Sequence, residues 1–285
     1  MDLMAGIAVV TDSTADLPAE LAEERGLRVV PMSVAFGRET FVSRITITDQ
    51  EFYERLAQST VLPTTSQPAP RWFEEAYLDA ADEGCEGIVS VHLSGKLSGT
   101  VQQARRLGEM AQLPVTVVET GHVGGGLALA VLAANRRAVA GGTIDEVAET
   151  AILTAAGARS WILVDTLDYL KRGGRLTGAQ ALMGSVLRVK PILSVMDGVV
   201  EVVERCRTSA RGIETLARQV AEHVGDAPAH VIVSHAMAPE RAEALWYSLE
   251  AAGVKVQAAL ETKVGPVLGT HAGPGTVAVS AVLTP

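Results

Sequence analysis

The chain has 285 residues, of which 48% are hydrophobic and only 4% aromatic, with a mean hydropathy of +0.24. That is material for one large or two smaller cores, built from Ala, Val, Leu and Ile rather than from rings. The net charge of −9 and pI near 5.2 argue against a nucleic-acid surface, which needs clustered Lys and Arg.

No run of about 18 apolar residues appears, so no spanning helix is expected. Met1 to Gly6 lacks both a basic region and a long apolar stretch, so no signal peptide is expected and the default is a cytoplasmic protein. Cys85 and Cys206 are far apart and neither belongs to a CxxC pair, which favours two reduced thiols over a metal or redox site.

Strand-like and helix-like segments alternate from the start. Ile7 to Thr11 is a short apolar run and reads as a buried strand. A helix is expected over Leu17 to Glu24 and one strand over Leu27 to Val34. Thr48-Asp49-Gln50-Glu51 is a capping-box pattern that opens a helix through Ala57. Helical spacing recurs over Pro70 to Ala81, with Phe73, Tyr77 and Ala80 on one side. Then follow a strand at Gly87 to His92, a helix at Ser98 to Met110, a strand at Val115 to Glu119 and an Ala-rich helix at Gly126 to Val139. Thr143-Ile144-Asp145-Glu146 is a second capping box. This alternation predicts an α/β fold with a parallel sheet, whose strands are buried on both faces and so lack period-two patterning.

After Ser160 the pattern changes. A strand at Trp161 to Val164 precedes a basic loop, Lys171 to Arg175. Pro191 to Val195 and Val199 to Val203 flank Asp197-Gly198, a hairpin signal that predicts a mixed sheet. Helices at Ala210 to His223 and Pro239 to Ala252 alternate with strands at His230 to Val233 and Val254 to Leu260. Val264 to Gly275 holds four glycines and two prolines around His271, and reads as a shaped loop before a last strand, Thr276 to Leu283. The expected organisation is an N-terminal domain, 1–160, and a C-terminal domain, 161–285, packed closely with no linker between them.

Polar segments stand where strands end. Asp12-Ser13-Thr14 follows the first strand, Thr64 to Pro68 offers hydroxyls ahead of a helix, and Ser94 to Thr100 opens another. In open α/β sheets ligands bind beyond the carboxyl ends of the strands, and a helix N-terminus favours an anion. Ser and Thr at such places ordinarily just cap the helix. Three hydroxyl-rich segments together make an anion site the better reading. Arg205, Arg207 and Arg211, with the basic loop, add local positive charge in an acidic chain; a solvated basic face would look the same.

Seven segments together are similar to the DegV family of bacterial fatty-acid-binding proteins. They are Thr11 to Thr14, Thr65-Ser66-Gln67-Pro68, Leu97-Ser98-Gly99-Thr100, Tyr169 to Arg175, Lys190 to Leu193, Arg207-Thr208 and Gly269 to Gly275. They stand in the family's order and span nearly the whole chain. The resemblance implies two α/β domains holding one long-chain fatty acid between them, with no cofactor and no metal. It implies that Thr65, Ser66 and Ser94 hold the carboxylate with His271. It further implies that Arg172, Arg207 and His271 serve the mouth or the docking of a partner. That partner would be a separate fatty acid kinase subunit, which phosphorylates the carboxylate. This chain would then be a non-catalytic lipid carrier, monomeric, making at most transient contact with membrane surfaces. The physics is compatible. A buried carboxylate without hydrogen bonds is costly, and burying a tail of about 16 carbons contributes on the order of 10 kcal/mol gross. Much of that gain is offset by lost freedom.

The chain also departs from the family. Ser94-Gly95-Lys96 replaces a Ser-Ser start, and Glu119 to Gly126 replaces an Asp-Ser followed by small residues, placing His122 where a solvent-facing ring is expected. Three other readings stand beside the carrier. Asp12 could be a phosphoryl nucleophile, although Thr14 stands where a second carboxylate would be. Gly121 to Gly126 could be the phosphate loop of a nucleotide-binding protein, although it is neither GxGxxG nor a Walker loop. The chain could also be a pure interaction protein with an empty groove.

Overall fold

The structure is a computed structural model that describes residues 6–176 and 189–284. Met1 to Ala5, on which most of the signal-peptide reading rests, lie outside the described residues.

Four parallel strands form the first sheet, in the order β2-β1-β6-β7: β1 (Ile7–Asp12), β2 (Arg28–Val30), β6 (Gly87–His92) and β7 (Val115–Glu119). All six residues of β6 are buried, the signature of a strand covered on both faces. Helices α3 (Pro70–Asp82) and α4 (Thr100–Gly108) cover one face through Phe73, Tyr77, Ala104 and Leu107. Helices α5 (Gly125–Val139) and α6 (Ile144–Gly157) cover the other. Both capping boxes form: Thr48 and Glu51 open α2 (Asp49–Gln58), and Thr143 and Glu146 open α6.

The expected single strand from Leu27 to Val34 is two strands in two sheets. Pro31 lies between them and has no N–H to give to a ladder. Beyond it, β3 (Ser33–Phe36) joins β4 (Glu39–Val42) and β5 (Thr64–Ser66) in an antiparallel sheet of order β4-β3-β5. The segment Thr64 to Ser66, read as a turn ahead of a helix, is therefore a strand, with Thr65 opposite Val34. Its hydroxyl-rich composition hid it, because Ser-Thr runs read as turns.

The third sheet has six strands in the order β10-β9-β8-β13-β11-β12. These are β8 (Arg159–Leu163), β9 (Lys190–Met196), β10 (Val199–Cys206), β11 (Ala229–His235), β12 (Val256–Lys263) and β13 (Val277–Leu283). Only β11 and β12 pair in parallel, so the sheet is mixed. Asp197 and Gly198 are both left-handed, at φ 48° and 78°, as a two-residue hairpin turn requires. Helices α8 (Ser209–Val224) and α9 (Pro239–Ala251) cover its outer face.

The parallel strands all precede Arg159 and the mixed-sheet strands all begin there or later. The expected boundary between 160 and 161 falls within β8, and an apolar cluster crosses it. One apolar cluster runs from Val9 and Val91 through α5 to Ile232 and Val282. At Gly125 the approach is so close that a Cβ would lie 2.6 Å from Ser280 Oγ of β13.

The Gly- and Pro-rich segment expected as a loop contains a short helix, α10 (Pro266–Ala272). Pro266 occupies its first turn, where the missing N–H costs nothing, and Gly273 ends it at φ 79°. The basic loop likewise contains a helix, α7 (Asp168–Gly173).

Candidate functional site: a cavity where the sheets meet

A cavity of about 100 Å³, opening to solvent, lies where the three sheets converge. Its wall combines residues from the ends of β1 and β6 (Thr14, Leu93), from β5 and the turn after it (Thr65, Ser66, Gln67), and from the mixed sheet (Ile162, Leu193, Val200). One turn of α10 adds Val267, Leu268, His271 and Ala272. Leu97, Ser98, Val123, Leu170 and Arg175 complete it with Met32.

The wall has apolar and polar members. Leu193 and Val200 belong to an apolar cluster with Leu170, with Ile162, Val123 and Leu97 packed against it. The polar members are joined by contacts of their own. Thr65 Oγ1 lies 2.9 Å from His271 Nε2. The Arg175 charge reaches the His271 ring, and Arg175 Nε donates to the Leu97 carbonyl at 3.3 Å, beside Ser98. The wall is therefore mostly aliphatic, with polar groups gathered around Thr65 and His271.

His271 is pushed down to about 4, first by burial and then by Arg175. The ring is neutral at pH 7, so it contributes hydrogen bonding rather than charge. Among the described residues its Nδ1 is buried without a partner. If the proton sits on Nε2, the ring donates to Thr65 and the threonine proton is free to meet an anion in the cavity. The nearby cation is Arg175, which sequence reasoning placed in the basic loop without assigning it to the site. Gln67 and Ser98 were likewise inside recognised segments without being singled out.

Other expected residues stand elsewhere. Ser94 is buried, lies outside the cavity wall and donates to the Gly198 carbonyl at 2.7 Å, tying the β9–β10 turn to the N-terminal half. Arg172 on α7 and Arg207 after β10 are both exposed and neither lines the cavity. His122 does not face solvent. It is 7% exposed, its Nε2 is 2.9 Å from the Ala155 carbonyl, and burial lowers its pKa. The ring packs instead against the start of α5, where a Cβ at Gly126 would lie 2.9 Å from His122 Nδ1.

The alternative sites lose their geometry. Asp12 is fully buried and accepts from Thr14 N (3.0 Å), Thr14 Oγ1 (2.5 Å), Leu93 N (3.2 Å) and His92 Nδ1 (2.9 Å). Its oxygens are engaged in structure and no substrate reaches them. The Gly121 to Gly126 stretch runs into the body of the protein. Added Cβ atoms at Gly125 and Gly126 would strike Ser280 and Ser160, so these glycines serve the packing of α5 on the mixed sheet, which does not favour a phosphate loop there. Among the described residues no group of three or more His, Cys, Asp or Glu could hold a metal, and no helix is long and apolar enough to cross a membrane.

The fold and cavity define a class of α/β proteins in which a parallel and a mixed sheet meet around a mostly apolar cavity with a few polar groups. The DegV family profile matches residues 6–284, and the chain belongs to that family. A DegV domain-containing protein of Streptomyces coelicolor is 41% identical over 273 residues, covering 96% of this chain and 97% of the relative. A solved DegV family protein from Thermus thermophilus, described by its fatty acid binding, superposes with a TM-score of 0.91 at 33% identity, over 98% of this chain and 100% of that one. DegV of Bacillus subtilis, described as a fatty acid binding protein, gives 0.88 at 30% identity, over 98% of this chain and 100% of that one.

Proposed function

We propose that this protein binds a long-chain fatty acid in the cavity and presents its carboxylate to a separate kinase subunit. The carrying observation is the wall itself: aliphatic at Ile162, Leu170, Leu193 and Val200, with Thr65, Ser66, His271 and Arg175 among its polar members. An extended hydrocarbon suits the first. A carboxylate suits the second, where a neutral ring frees a hydroxyl proton and a guanidinium supplies charge. The fatty acids described for the solved relatives support the same ligand class.

In this reading Thr65 and Ser66 are the carboxylate donors and His271 sets the direction of the Thr65 bond. Ser94 acts from behind the wall, by holding the hairpin turn. The chain performs no phosphoryl transfer. Exposed Arg172 and Arg207 serve a partner surface, where the kinase subunit would dock. In this reading the two domains, 1–160 and 161–285, share the apolar cluster that joins Val9 to Val282.

Mass spectrometry of the denatured, purified protein tests the ligand. A stoichiometric long-chain fatty acid is expected, and a nucleotide or an empty cavity that refuses added palmitate would refute the reading. Acyl-phosphate formation with a fatty acid kinase subunit tests presentation. Arg172→Ala and Arg207→Ala should lower that output while leaving lipid content unchanged; normal output from both would remove the docking role.

A further inference from the structure

The segment that leads into α10 is gripped at three consecutive residues by side chains from the far end of the chain. Arg44 Nη2 donates to the Lys263 carbonyl at 2.9 Å. Tyr53 Oη donates to the Val264 carbonyl at 3.0 Å. Asp16 Oδ1 accepts from Gly265 N at 3.0 Å. The three grips are linked to one another. Arg44 Nη2 lies 3.4 Å from Asp16 Oδ1, binds both oxygens of Asp49 through Nε (3.0 Å) and Nη2 (3.1 Å), and donates from Nη1 to the Leu17 carbonyl at 3.0 Å. The fit is tight: a Cβ at Gly265 would stand 2.7 Å from Asp16 Oδ1 and 3.1 Å from Arg44 Nη2.

Both Asp16 (φ 51°) and Arg44 (φ 61°) are left-handed, a conformation that non-glycine residues seldom adopt. Two such residues meeting on one target indicate an arrangement held by its surroundings. At its other end α10 is held by the His271–Thr65 contact. Between these ends it contributes Val267, Leu268, His271 and Ala272 to the cavity wall.

We propose that Asp16, Arg44 and Tyr53 form a clamp that seats α10 and thereby positions His271 beside Thr65 in the cavity wall, so that the charge on Asp16 regulates how firmly the ligand is retained. The clamp itself rests on geometry; its effect on retention rests on the fatty-acid reading above.

Asp16 is the one clamp member that changes charge near neutrality. Burial raises its pKa to about 7, against the opposing pull of Arg44 and of the Gly265 N–H, with Asp49 and Asp12 adding to the rise. Asp49 and Tyr53 on α2, Arg44 after β4 and Asp12 on β1 are the titratable groups that act on it. Tyr53 is held well above its ordinary value by burial and stays a donor. His271, pushed down to about 4, does not titrate in the same range. Above pH 7 the Asp16 carboxylate grips Gly265 N–H and Arg44 as a charged acceptor, and charge-assisted bonds are the stronger kind. Below pH 7 it is neutral and the grip weakens.

The test uses the full chain, stripped of lipid and loaded with a fluorescent long-chain fatty acid. Wild-type dissociation should be about fivefold faster at pH 6 than at pH 8, the effect of losing one net hydrogen bond. Asp16→Asn keeps an acceptor and a residue tolerant of left-handed φ, but no charge; it should show the fast rate at both pH values. A wild-type pH profile in that variant overturns the regulatory claim. If wild type binds no fatty acid, the lipid reading fails separately, and amide hydrogen exchange still decides the clamp. At pH 8, Asp16→Asn and Tyr53→Phe should each raise exchange at Gly269 and Gly273, the amides closed by α10 bonds, by about fivefold with the rest of the chain unaffected. Unchanged exchange at these amides in Tyr53→Phe, a substitution small enough to leave the fold intact, overturns the clamp.

Discussion

Which nitrogen of His271 carries its proton decides whether Thr65 gives or receives the bond between them. A ring that stays neutral because it is buried can shift that proton freely, so an arriving carboxylate can recruit the Thr65 hydroxyl and leave the ring as its donor. A hydrogen bond to a charged group contributes about 1.5–3 kcal/mol. Thr65→Ala should therefore weaken fatty-acid binding by roughly 10- to 100-fold, and Thr65→Ser should restore most of it, as read by fluorescent fatty-acid titration. The ring also leaves a mark on stability. Its folded pKa lies below its unfolded value, so the unfolded chain binds more protons between about 4 and 6.5. The ring's own contribution to the stability of the lipid-free protein should fall as pH drops through that window, opposed by Asp16, whose folded pKa of about 7 lies above its unfolded value. In His271→Gln that contribution should vanish, so the stability at pH 7 minus that at pH 4.5, measured by denaturant unfolding, should be smaller than in wild type; an unchanged difference would mean the ring is not desolvated.

At the scale of elements, the β9–β10 hairpin lines the cavity through Leu193 and Val200, and α5 packs the parallel sheet onto the mixed one. Ser94 fastens the hairpin by its bond to the Gly198 carbonyl. Ser94→Ala should cost about 1 kcal/mol of unfolding stability, because a buried acceptor loses its partner. Fatty-acid affinity in that variant should stay within about twofold of wild type. A large loss of affinity with unchanged stability would instead place Ser94 at the carboxylate. Gly125 lets α5 reach β13, and a side chain there has no room beside Ser280. Gly125→Val should destabilise by about 1–3 kcal/mol or more and lower the melting temperature accordingly.

Legibility also differed between elements. Thr48 and Thr143 announced their helices because a capping box is a local device, complete within four residues. Asp197-Gly198 announced its turn for the same reason. The strand β5 was hidden, since Thr64, Thr65 and Ser66 become a strand only by pairing with β3 some thirty residues away in sequence. The short helix α10 was hidden too. Its glycines and prolines oppose a helix, and what seats it is the Asp16, Arg44 and Tyr53 side chains more than 200 residues earlier.

For the molecule as a whole, one core joins two sheets around one cavity, so filling the cavity should stabilise everything at once. Saturation at 100 times the dissociation constant adds about 2.7 kcal/mol. For a chain of this size that is a rise in melting temperature of several degrees, expected with palmitate and absent with a short-chain acid. Melting in separate steps on either side of residue 160, unaffected by lipid, would contradict a shared core.

Alternation of apolar runs with capped amphipathic segments determined the α/β class, the change of sheet type near residue 160 and most helix boundaries, because these follow from periodicity and local hydrogen bonding. Ordered polar motifs determined the family and drew attention to Thr65 and His271. Tertiary structure alone decided that these two residues meet, that Arg175 joins them, that Ser94 turns to the hairpin and that His122 and Asp12 are buried. Such facts depend on contacts between residues tens to hundreds of positions apart, and local patterning carries no record of which distant partner a side chain will find.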